Sequence, residues 1–132
     1  CGWLRGDPTN GNITSIRPAI NVYNKKNHPV VNDRTAETAY VISPEDVLEL
    51  NNELDKTFPP LVIYHSHPNG KAYFSETDRV VATDPWGDGP NYPVQQLVIG
   101  VNKEEIVESR LFSWNSNRKD YIEISKYKGA RI

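Results

Sequence analysis

The chain has 132 residues, 37% of them hydrophobic and 24% charged, which suits one folded domain with its own core. Its net charge of −2 gives no bulk attraction to phosphate backbones, so nucleic acid is not an expected partner. The single cysteine, Cys1, excludes a disulfide framework and a Cys-rich zinc site, and no apolar run approaches the roughly 18 residues that span a membrane. A cytoplasmic, reducing setting with no membrane partner is therefore expected.

The chain opens abruptly. There is no initiator Met, and Cys1-Gly2-Trp3-Leu4 reads as the inside of a strand, which points to an upstream segment. Turns follow at Gly6-Asp7-Pro8 and Asn10-Gly11-Asn12. Residues 13–23 carry spaced Ile and Val around Pro18 and read as an edge or bulged strand. The polar residues 24–36 read as a loop, and 38–42 as a short strand. Ser43-Pro44-Glu45-Asp46 is a helix start: a capping hydroxyl, a Pro suited to the first position, and acids at the positive end of the dipole. Val47, Leu48, Leu50 and Leu54 continue it until Pro59-Pro60.

The apolar run 61–64 predicts a buried central strand, and 65–74 a loop. Ser75-Glu76-Thr77-Asp78 opens a second helix, with Asp78 at its third position. Residues 84–93, rich in Pro and Gly, form a loop. Strands at 94–101 and 106–114 make a hairpin, and 121–125 a last short strand. The mixture predicts an α/β chain in the broad sense, or α+β, as a single domain over 1–132.

The chemistry gathers at His65-Ser66-His67-Pro68 and then at Ser75 and Asp78. Two histidines at i and i+2 of an extended chain share a face, so both rings can reach one ion. Asp78 can add an oxygen ligand. Two nitrogens and one carboxylate leave a fourth tetrahedral position open, the layout of a catalytic zinc site. Zinc brings the pKa of water toward about 7 and polarises carbonyls, which implies metal-assisted amide hydrolysis. Ser66, between the ligands, should point to the other face.

The spacing H-x-H, seven residues, S-x-x-D resembles the JAMM motif of the MPN-domain metalloproteases, in the small bacterial single-domain type. Cys1-Gly2-Trp3-Leu4-Arg5-Gly6 resembles the family's C-G-x-L-x-G strand, and Ala72-Tyr73 and Ala82-Thr83 are also similar to that type. The resemblance implies a mixed, mostly antiparallel curved sheet flanked by helices. It implies one Zn2+ per chain on His65, His67 and Asp78, with Ser75 donating to the oxyanion, a role worth roughly 2.7–4 kcal/mol of barrier. The family's general-base Glu falls two residues before Cys1, outside this chain. Glu37, Glu45, Asp46 and Glu76 are not assigned in its place.

The implied substrate is the Gly-Gly tail of a ubiquitin-like or sulfur-carrier protein, cleaved by a peptidase or isopeptidase. Asn69 and Tyr73, on the segment joining the ligands, and Trp86 and Tyr92, on the 84–93 loop, are the candidate substrate contacts. His28 is isolated in a polar loop and Lys25-Lys26 is too short a basic patch for nucleic acid. The alternative is an MPN-type binding or scaffold domain without activity. A zinc deaminase would need cysteine ligands and an H-x-E sequence, and neither is present.

Overall fold

Among the described residues eight elements follow one another: β1 (Gly2–Gly6), β2 (Ile13–Pro18), α1 (Pro44–Glu53), β3 (Pro60–His67), α2 (Glu76–Ala82), β4 (Gln95–Val101), β5 (Glu105–Asn115) and β6 (Asp120–Arg131). They come from a computed structural model that describes residues 1–22 and 41–131. The predicted loop 24–36, most of the predicted strand 38–42, and Lys25, Lys26, His28 and Glu37 lie outside the described residues.

The strands form one six-stranded sheet in the order β2-β1-β3-β4-β5-β6. Every pairing is antiparallel except β3 with β4, which are parallel. A parallel pair needs a crossover, and α2 lies within it. The architecture is α+β and MPN-like, as the sequence predicts. Four boundaries differ: the helix predicted to continue until Pro59-Pro60 stops at Glu53, and three strands change. The strand predicted at 61–64 runs on to His67, so both histidines sit on β3 itself rather than on a loop. The predicted strand 13–23 stops at Pro18, with an isolated bridge between Asn21 and Ile42. The last strand is twelve residues long instead of five, because β6 pairs along nearly all of β5.

Directly paired residues share a face, so the register lays out rows across the sheet. One row reads Trp3, Ile63, Gln96, Phe112. The next along β3 holds His65, Val98 and Arg110, and the third His67, Gly100 and Glu108. The face thus changes from apolar to ionic toward the C-terminal end of β3. Trp3, Ile42, Leu50, Ile63 and Val94 form one core cluster, with Val47 and Leu54 of α1 packed on it. Ala72, Phe74, Ala82, Val98, Phe112 and Tyr121 form a second under α2.

Ion pairs moor the helices. Arg5 grips both carboxylate oxygens of Glu53 at 2.7 and 2.9 Å, and Trp3 Nε1 donates to the same group at 3.0 Å. Arg17 reaches Glu49 and Asp46 and lies over the Trp3 ring. Arg79 of α2 reaches Asp120 and the Tyr121 carbonyl and lies over the Phe74 ring. Among the described residues no helix is long and apolar enough to cross a membrane.

Candidate metal centre

The histidines alternate with Ser66 along β3, and the pleat decides their fate. His65 and His67 are buried while Ser66 is exposed on the other face, as the alternation predicts. The chain then turns at Gly70, whose φ of +79° lies in the left-handed region that favours glycine. It enters α2 through a capping box. Ser75 Oγ accepts from the Asp78 N–H at 3.1 Å, and Asp78 Oδ2 accepts from the Ser75 N–H at 2.9 Å. This reciprocal pair holds the Asp78 carboxylate at the head of the helix, beside the C-terminal end of β3.

The three ligand atoms make a nearly equilateral triangle. Asp78 Oδ2 is 3.2 Å from His65 Nε2 and 3.2 Å from His67 Nε2, and the two Nε2 atoms are 3.1 Å apart. Tetrahedral bonds of the lengths zinc makes to nitrogen and oxygen set ligand atoms about 3.3–3.4 Å apart. The triangle therefore fits one face of such a site almost without movement, and these residues could hold a metal ion.

Protonation suits the same reading. His67 Nδ1 lies 3.1 Å from the Lys71 carbonyl, which can only accept, so Nδ1 carries the proton and the tautomer that binds a metal presents the Nε2 lone pair. Burial pushes the His65 imidazole below its ordinary value despite the nearby Asp78 carboxylate, which keeps the ring neutral. Burial alone would raise the Asp78 carboxyl. The adjacent His65 and His67 rings, with the Ser75 N–H, outweigh it and hold the group well below the usual carboxylate range. A neutral His65 ring, a His67 ring whose Nδ1 faces the Lys71 carbonyl, and an ionised carboxylate suit metal binding.

The other predicted contacts divide. Tyr73 is 40% exposed and meets the His67 ring edge-on, with centroids 4.9 Å apart. Asn69 is exposed and its Oδ1 accepts from the Lys71 N–H at 3.0 Å, shaping the loop between the ligands. Trp86 stands 80% exposed, on an open groove of about 940 Å³ shared with Glu76, Arg79 and Val80 of α2. Tyr92 is drawn inward onto the cluster of Trp3, Leu50 and Ile63. Of the unassigned acids, Asp46 is committed to Arg17 and the Ile20 N–H, and Glu45 and Glu76 are exposed.

Sequence reasoning passed over Glu108 and Gly100. Glu108 Oε2 accepts from the Ala72 N–H at 3.0 Å, and Gly100 lies beneath the same loop. No local pattern announces either, because both reach the site through strand pairing.

Comparison with curated proteins and with solved structures finds no match. A family model does match: the prokaryotic homologs of the JAB domain, over residues 1–115. Its span takes in β1, α1, α2, the triangle of His65, His67 and Asp78 and all of β5, and the chain belongs to this JAB family, a branch of the JAMM/MPN domains.

Proposed function

We propose that the protein is a zinc-dependent metallopeptidase or isopeptidase that hydrolyses an amide bond at or near the C-terminal Gly-Gly tail of a ubiquitin-like or sulfur-carrier protein. The observation that carries this is the triangle of His65, His67 and Asp78, with three ligand atoms supplied and the fourth tetrahedral position left to other groups. When bound there, zinc supplies Lewis acidity, polarising a carbonyl and making water a usable nucleophile near neutral pH.

The chain's own residues do the rest. Ser75 is buried at the head of α2. Its oxygen accepts from the Asp78 N–H, which leaves the hydroxyl proton to donate to a developing oxyanion. The exposed Tyr73 and Asn69 flank the ligands, where an extended tail would lie. The register supports the family's placement of the base. β1 and β3 pair as Gly2↔Tyr64 and Trp3↔Ile63, and carried outward this sets a residue two positions before Cys1 opposite His67 on the same face. A Glu there would exchange protons between water and the leaving amine. An intact ligand set favours catalysis over the alternative of an inactive scaffold.

The test uses the full-length protein and a ubiquitin-like or sulfur-carrier substrate extended beyond its Gly-Gly. Expected are one equivalent of zinc and a new Gly-Gly terminus by mass spectrometry, both lost in His67→Ala. Stoichiometric zinc retained in that variant refutes the ligand assignment. Zinc bound with every such tail left intact refutes the peptidase and leaves the scaffold.

A further inference from the structure

We infer that Glu108 is a positioning residue for His67, acting through a single peptide unit, Lys71–Ala72, that the two side chains grip from opposite sides. The inference rests on His67 being a metal ligand.

The argument starts from one row of the sheet. His67, Gly100 and Glu108 are directly paired across β3, β4 and β5, so all three face the same way. The middle position has no side chain, which leaves a gap between the outer two. The loop leaving β3 falls into that gap. A Cβ on Gly100 would stand 2.8 Å from the Lys71 nitrogen and closer still to the Gly70 carbonyl, so only glycine admits the loop at this depth.

The amide between Lys71 and Ala72 then offers one group to each neighbour. Its carbonyl accepts from His67 Nδ1 at 3.1 Å, and its N–H donates to Glu108 Oε2 at 3.0 Å. A carboxylate accepting at one end of an amide polarises it and strengthens the carbonyl at the other end as an acceptor. The stronger acceptor holds the His67 proton on Nδ1 and keeps the Nε2 lone pair aimed at the triangle.

Glu108 is itself held. Its other oxygen meets Arg110 at 3.3 Å and Lys126 at 3.6 Å, and Arg110 in turn meets Glu123 at 3.0 Å. The Ala72 N–H, followed by these cations, keeps the carboxyl below its ordinary value and therefore ionised. Without such an anchor, the carbonyl that His67 Nδ1 meets would sit on an untethered loop. Here β5 supplies the anchor from 41 residues away along the chain, the spacing of His67 and Glu108.

The experiment compares wild type with Glu108→Ala, Glu108→Gln and, as a control, Glu104→Gln, at an exposed residue outside this network. Two readouts are taken: the ring-nitrogen NMR signals of His67 in the metal-free protein, and zinc affinity by chelator competition. Glu108→Ala is expected to move the His67 signals toward a mixture of tautomers and to weaken zinc about tenfold, the lower end for partners outside the ligand shell. Glu108→Gln retains an acceptor without the charge and falls between Ala and wild type, and it reports alone if the Ala variant does not fold. Glu104→Gln leaves both readouts unchanged. Unmoved His67 signals in the Glu108 variants, or an equal shift in the control, overturn the relay. Wild type showing the expected tautomer but no zinc binding overturns the metal reading and spares the relay's geometry.

Discussion

Two helices of this protein begin with the same four-residue device, and the two copies do different work. Ser43-Pro44-Glu45-Asp46 opens α1 and Ser75-Glu76-Thr77-Asp78 opens α2. Both serines accept from the N–H of the aspartate three residues on, at 3.2 and 3.1 Å. Both aspartates are buried. At α1 the carboxylate meets cations and donors of the scaffold: Arg17 at 2.8 Å and the Ile20 N–H at 2.9 Å. At α2 it meets the Nε2 atoms of two imidazoles and the N–H of its own cap. A carboxylate facing a fixed guanidinium is satisfied and inert. One facing two lone pairs crowds three electron-rich atoms together, a cluster that a cation completes.

The largest difference should come from removing the aspartates. Asp78→Ala abolishes stoichiometric zinc and activity. Asp46→Ala retains one equivalent of zinc but loses about 1–3 kcal/mol of stability, since Arg17 and the Ile20 N–H lose their buried partner. Metal analysis beside urea denaturation separates the two, and zinc retained in Asp78→Ala would erase the distinction.

Removing the serines sharpens it. Each Ser→Ala costs about 1 kcal/mol of stability through the lost cap. Ser75→Ala should also slow turnover roughly 10²–10³-fold at unchanged zinc content, while Ser43→Ala should not. Equal rates in the two variants would make Ser75 a cap alone.

The smallest effect tests the scaffold half by pH. Hydrogen bonds from Arg5, and less strongly from Trp3, hold the Glu53 carboxyl down at about 2 against an ordinary 4.5, while burial opposes them. A depressed carboxyl stabilises the fold above the unfolded value and loses that effect as pH falls from about 4.5 through about 2. Denaturation at pH 5.5 and pH 3 should show the loss in wild type and less of it in Glu53→Gln, an effect of up to about 1 kcal/mol. Matching slopes in the two proteins would remove Glu53 from the acid response.

What the amino-acid sequence determined by itself was local. Both caps and the parity that buries His65 and His67 and exposes Ser66 follow from neighbours within about four residues or from alternation along one strand, while the class α+β was read from the mixture of elements and Asp78 from the motif spacing. Strand ends were less legible, because β3 runs on to His67 and β6 to Arg131 only through pairing with strands distant in the chain. The tertiary structure decided what each buried aspartate faces, Arg17 for Asp46 and the two histidines for Asp78. It also decided that Tyr92 turns inward while Tyr73 stays at the His67 ring, and that Glu108 and Gly100 belong to the site at all. Those outcomes depend on rows across four strands, where one residue of register changes every neighbour, and a row has no signature in the order of residues along the chain.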